Sequence, residues 1–150
     1  IKLAGNNGSL KCLKKGKSKG RLLGGCLSLV CSLLGTPYLP DFQNAILFVE
    51  EVGEEPYRID RYLFQLKLAG ILNQINGIIL GQFVDCVPTS DSPSLTIEQI
   101  VNDLTADLDI PILAELPYGH IDVKFTMPIG AQVCLDTDEG TLEILDAPVV

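Results

Sequence analysis

A single histidine, His120, stands in the segment Leu116-Pro117-Tyr118-Gly119-His120-Ile121-Asp122. Pro117 and Gly119 mark a loop just beyond a short apolar run, and loops at one edge of a parallel sheet are where reactive side chains converge. Imidazole has the ordinary pKa nearest neutrality, so one such group can take a proton and return it within a cycle. Glu50, at the end of the apolar run 45–49, offers it a partner. A carboxylate there could accept an imidazole N–H, fix the tautomer and stabilise the protonated ring. Spacing alone does not pair the two, because Glu50, Glu51, Glu54 and Glu55 also read as a solvated acidic cluster.

A nucleophile is harder to find. None of Ser9, Ser18, Ser28, Ser32, Ser90, Ser92 and Ser94 lies in a G-x-S-x-G elbow. Cys26 follows Gly24-Gly25 at the expected start of a helix, where a helix dipole can lower a thiol pKa. A thiol hydrolase built from Cys26, His120 and Glu50 is therefore one reading. Gly20, Gly24 and Gly25 match neither a phosphate-binding loop nor a dinucleotide fingerprint. The five cysteines (12, 26, 31, 86 and 134) are odd in number and show no C-x-x-C spacing, which suits a reducing compartment. With one histidine and no paired thiols, the chain is expected to hold no metal and no other cofactor.

The elements that must position these groups alternate between apolar runs and helical patterns, which predicts an α/β domain. Strands are expected at 20–23, 45–49, 77–81 and 112–116, the second being a continuous β-prone run suited to burial on both faces. Gly24-Gly25 is expected to turn the chain into a helix over 26–34. Pro56 opens a helix to about Leu72, at a position where its missing N–H is harmless, with Ile59, Leu63, Leu66 and Gly70 as the inward stripe. Thr96 and Gln99 form a capping box before Ile97, Ile100, Val101, Leu104 and Leu108. Segments 131–135 and 141–145 flank Asp136-Thr137-Asp138-Glu139-Gly140 as a hairpin.

The 150 residues suffice for one core, and 47% hydrophobic against 20% charged residues argues for a packed globule. Seven of the eleven Lys and Arg lie between Lys2 and Arg21, where there is no Asp or Glu. The rest carries four basic and all nineteen acidic residues, a charge of −15. Such a body does not suit nucleic acid, which needs clustered positive charge. The basic lead reads as a solvated linker. The longest apolar stretch, 22–34, is too short to span a bilayer, which takes roughly 20 residues. No membrane association is expected, and a cytoplasmic location is.

Taken together, Gly20-Arg21-Leu22-Leu23-Gly24-Gly25-Cys26-Leu27-Ser28-Leu29, Gly35-Thr36-Pro37-Tyr38, Pro40-Asp41-Phe42, Ile46-Leu47-Phe48-Val49-Glu50-Glu51, Pro56-Tyr57-Arg58-Ile59-Asp60-Arg61, Gly77-Ile78-Ile79-Leu80-Gly81, Tyr118-Gly119-His120 and Pro128-Ile129-Gly130 resemble, in order and spacing, the LD-carboxypeptidases. That serine peptidase family includes murein tetrapeptide carboxypeptidases and microcin C immunity peptidases. The resemblance covers about 17–145 and concerns only the family's carboxyl-terminal domain. It implies a swivelling β/β/α-type fold with a small mixed or parallel sheet, flanking helices and the C-terminal hairpin. Residues 1–19 would be the remnant of an interdomain linker and 20–150 the domain, with the nucleophile domain absent. It implies catalytic roles for Glu50 and His120, with Glu51 the alternative if the strand register is displaced by one. The serine would come from a G-x-S-D motif of the missing domain, and the substrate would be a murein tetrapeptide losing terminal D-alanine during cytoplasmic wall recycling. The isolated chain is then expected to be inactive, and the resemblance also implies a homodimer. Peptidyl or aminoacyl nucleotides are the alternative substrate, and a non-catalytic interaction domain is the alternative role. Cys26 departs from the Asn usual after Gly-Gly.

Overall fold

The computed structural model describes residues 2–4, 10–91 and 93–146; Ser9, Ser92 and both ends of the expected domain division lie outside them. Among the described residues the elements are β1 (Lys2–Ala4), β2 (Lys11–Lys14), β3 (Lys17–Cys26), α1 (Leu27–Ser32), β4 (Ile46–Val52), α2 (Pro56–Leu68), β5 (Gly77–Val84), α3 (Ile97–Leu104), β6 (Ile112–Ala114), β7 (Gln132–Asp136) and β8 (Thr141–Ile144). The strands form one mixed sheet in the order β1-β8-β7-β3-β4-β5-β6-β2. Its centre, β3-β4-β5-β6, is parallel, as short strands joined through helices require. The fold is α/β, with the expected hairpin formed by β7 and β8.

Strand alternation sorts the apolar residues into two cores. Leu47 and Val49 of β4, Ile78 and Leu80 of β5, and Leu23 of β3 face the helices, against Leu27, Ile59, Leu63, Leu66, Ile100 and Val101. Ile46, Phe48, Leu22, Ile79 and Leu113 point the other way. There the sheet curls over itself, so that Val133, Leu135, Leu142 and Ile144 of the hairpin close the second core, together with Leu116 and Met127. A strand that contributes to both cores has no solvent face, which is why the 46–49 part of β4 reads as an unbroken apolar run.

Several boundaries differ from the sequence expectation. The basic lead is not wholly a solvated linker: it supplies β1, β2 and the start of β3. Two of its lysines reach carboxylates from these strands, Lys11 to Glu98 at 2.6 Å and Lys17 to Asp136 at 2.9 Å, and Lys14 donates to the Leu108 carbonyl. Gly24-Gly25 does not turn the chain but continues β3, paired with Phe48 and Val49. Gly24 is required there, since a Cβ would lie 1.8 Å from the Phe48 carbonyl oxygen and its φ is +145°. Helix α2 stops at Leu68 rather than Leu72, Gly70 taking a left-handed φ of +77° beyond its end. Helix α3 begins as expected, with both hydrogen bonds of the Thr96/Gln99 capping box made, but ends at Leu104.

Candidate active site

Glu50 continues the alternation of Ile46 and Phe48, so its side chain emerges on the face away from the helices. The strand pairing changes at this point. Val49 lies opposite Leu80 and Glu51 opposite Phe83, so one residue of β4, Glu50, faces two of β5, Gly81 and Gln82. Such a bulge bends the strand and re-aims the side chain beside it. Glu50 is only 4% exposed, and a carboxylate so removed from water requires a hydrogen-bonded or charged partner.

His120 supplies it. The His120 Nδ1 and Glu50 Oε2 atoms are 2.8 Å apart, across 70 residues of sequence. The loop carrying His120 is fastened to β5 by the Gln82 N–H donating to the Tyr118 carbonyl at 2.8 Å. The Leu116 N–H donates to the Leu80 carbonyl, and Tyr118 sets its ring edge-on to Phe48 at 5.3 Å. Burial, with the charge of Glu50, pushes the Tyr118 phenol above its ordinary pKa. Two glycines make room. A Cβ at Gly119, whose φ is +129°, would lie 2.9 Å from Glu50 Oε2. One at Gly81 would lie 2.6 Å from the Tyr118 carbonyl oxygen and 3.1 Å from Glu50 Cβ.

This arrangement has a definite chemical capacity. With Nδ1–H donating to Glu50, the Nε2 lone pair is free to take a proton, and the carboxylate stabilises the imidazolium that results. The His120 side chain is about half exposed, so Nε2 is open to a group arriving from outside. No second hydrogen bond to the ring is made among the described residues. A pair so arranged has the capacity to take up a proton at one ring nitrogen while the other is held by the carboxylate.

Glu51, weighed as the alternative, points to the opposite face and does not meet the imidazole. It accepts the Ser28 N–H at 2.8 Å through Oε2, and the Cys26 thiol at 3.1 Å and the Val52 N–H at 3.0 Å through Oε1. Burial opposes its ionisation, but these donors prevail and hold its pKa below the ordinary carboxylate value. Cys26 does not join His120 either: its thiol bonds Glu51 and Ser28. Burial, together with Glu51, pushes the Cys26 pKa up, opposite to what a thiolate nucleophile requires. The sequence signal for this reversal was the pair Glu50-Glu51 itself, since adjacent strand residues must face opposite ways.

A cleft of about 370 Å³ opens on the helix side, between the ends of β5 and β6 and the start of α3, with Gln82, Phe83, Thr96, Glu98 and Glu115 in its wall. Neither Glu50 nor His120 lines it. Among the described residues no group of three or more His, Cys, Asp or Glu side chains is placed to hold a metal ion, and no helix is long and apolar enough to cross a membrane.

The buried acid and the loop histidine lie inside a segment that comparison with known proteins assigns to a family. Residues 19–135 match the family model described as the LD-carboxypeptidase C-terminal domain, and the chain belongs to that family. It is 42% identical over 132 residues to the probable murein peptide carboxypeptidase of Bacillus subtilis, covering 88% of this chain and 41% of that protein. A crystal structure of muramoyltetrapeptide carboxypeptidase from Oxalobacter formigenes superposes with a TM-score of 0.82 at 32% identity, over 99% of this chain and 50% of that one. The Escherichia coli microcin C7 self-immunity protein is 27% identical over 87% of this chain and 38% of its own length. Its structure shares the fold, with a TM-score of 0.84 at 23% identity over 94% of this chain and 42% of its own. The chain therefore spans less than half the length of the curated relatives it matches.

Proposed function

We propose that this chain is the glutamate- and histidine-bearing half of a serine LD-carboxypeptidase that releases terminal D-alanine from murein tetrapeptide. The observation that carries the reading is the 2.8 Å contact between His120 Nδ1 and the buried Glu50, inside the segment that matches the family. In this mechanism a serine hydroxyl contributed by the nucleophile domain attacks the L-to-D peptide carbonyl while His120 Nε2 takes its proton. His120 then returns that proton to the departing D-alanine amine, and water releases the acyl group by the same exchange in reverse. Glu50 stays ionised throughout and holds the ring. Residues 20–150, with the strands that the basic lead adds to their sheet, are the domain that carries this pair, and the lead connects it to the nucleophile domain. The protein works in the cytoplasm on recycled wall peptides, as a homodimer, without metal, nucleic acid or membrane.

The test is D-alanine release from murein tetrapeptide by the 150-residue chain and by the longer gene product that contains it. The longer protein is expected to release D-alanine and the chain alone to release none; turnover by the chain alone overturns the division of labour. A second reading, peptidyl or aminoacyl nucleotides as substrate, is supported by the likeness to the microcin C7 self-immunity protein, of which one structure holds glutamyl sulfamoyl guanosine. The greater identity to the murein peptide carboxypeptidase supports the first. Assaying the longer protein on murein tetrapeptide and on an aminoacyl sulfamate decides between them.

A further inference from the structure

We propose that Glu51 is a positioning residue for the Glu50–His120 pair. The value of that role to catalysis rests on the proposed function, whereas the geometry stands without it. Glu51 is 2% exposed, and its carboxylate gathers three donors. Two of them belong to other elements: the Cys26 thiol at the end of β3, and the Ser28 N–H in the first turn of α1. That N–H is one of the donors a helix start leaves without an intrahelical acceptor. The residue at the cap position, Cys26, makes no side-chain capping bond of its own. Glu51 does the capping from the neighbouring strand, and so ties β3, α1 and β4 together at one point.

That point matters because of what lies on either side of it. Cys26 is the register partner of Glu50. On the β5 side the regular ladder lapses at the bulge, where Glu50 faces both Gly81 and Gln82. With that ladder lapsed, the direction of the Glu50 Cα–Cβ bond rests on its pairing with β3 and on the anchoring of the next residue to α1 and β3. Consecutive strand residues share a peptide plane, so loosening Glu51 on the helix face turns Glu50 on the other. A hydrogen bond of 2.8 Å tolerates only a few tenths of an ångström before it weakens, and about 1 Å removes it. Glutamate suits the position because both oxygens accept. The amide of Gln would present N–H groups to at least one of the three donors.

The test uses the folded chain and needs no activity. The His120 ring is titrated by NMR in wild type and in Glu51→Ala, Glu51→Gln and Glu51→Asp, with exchange of the Ser28 amide followed alongside. Ala and Gln remove the same charge, but the Gln carbonyl oxygen still accepts from one side of the anchor and Ala accepts nothing, so a larger displacement of the His120 midpoint by Ala than by Gln reports position. The expected displacement for Ala is about half a pH unit or more, with faster Ser28 exchange. Equal effects of Ala and Gln, or none, overturn the proposal. Should Glu51→Ala not fold, Glu51→Asp decides, since it keeps the charge on a side chain one methylene shorter. A displaced midpoint supports the role and an unchanged one overturns it. Failure of the longer protein to release D-alanine would sink the proposed function and leave this result standing.

Discussion

Glu50 and Glu51 are one peptide bond apart and meet opposite surroundings. One is bonded to a half-exposed imidazole on the curled face; the other is enclosed against α1. Their substitutions are accordingly expected to differ. If Glu50 has the role proposed above, Glu50→Gln in the complete carboxypeptidase keeps the shape of the side chain but favours the wrong imidazole tautomer, and kcat should fall by about 10⁴-fold with KM little changed. Steady-state D-alanine release measures both. Glu51 acts on stability. Its folded pKa is held below the ordinary value, so its ionised form stabilises the fold above the ordinary carboxylate range, about 4.3. That contribution is lost as pH falls through the folded pKa. Urea titrations of wild type and Glu51→Gln should show a gap at pH 7 that narrows on acidification to about pH 3. Both acids were legible in the sequence as candidates, because each ends a strand of obvious type. The choice of Glu50 over Glu51 came from the resemblance and not from spacing, since a run that is apolar on both faces does not show which face meets the histidine loop.

At the scale of elements, the site is made by a loop that can approach a strand only because two side chains are absent. Gly119→Ala would bring a Cβ to 2.9 Å from Glu50 Oε2 in a backbone conformation with φ of +129°, and Gly81→Ala one to 2.6 Å from the Tyr118 carbonyl. The Gly119 variant should retain the fold, since it sits in a surface loop, while losing the His120–Glu50 bond. The Gly81 variant, pressed against backbone, should cost about 1–3 kcal/mol of stability as well. Thermal melts with imidazole NMR separate the two outcomes. The central strands, α2, α3 with its capping box and the terminal hairpin were readable from periodicity and turn residues, because each is specified locally. The extension of β3 through Gly24-Gly25 was not. A glycine pair ordinarily ends an element, and here it continues one because the Phe48 carbonyl occupies the space of a side chain. Strands β1 and β2 were missed for a related reason: their lysine-rich segments acquire strand character only from partners more than ninety residues away, β8 and β6.

At the scale of the whole molecule, the sheet changes character at β3, which runs parallel to β4 and antiparallel to β7. The partners on the β7 side are far apart in sequence: Lys17 meets Asp136 and Arg21 meets Gln132. On a ribosome, the chain emerging amino end first can pair β3 with β4 once Val52 is out, but must extend beyond residue 132 before the other edge is covered. Between those two points β3 is an open edge, able to recruit a strand from a neighbouring nascent chain. Lys17, Lys19 and Arg21 alternate along that edge with inward Ser18, Gly20 and Leu22, and charge on an edge strand is a known deterrent to such pairing. Replacing the three by threonine should leave the folded chain nearly as stable but raise its aggregation during refolding from urea, read as light scattering against protein concentration. The cluster of positive charge at the amino end then serves as a guard on an unfinished sheet, needed for the interval between the making of its first strands and its last.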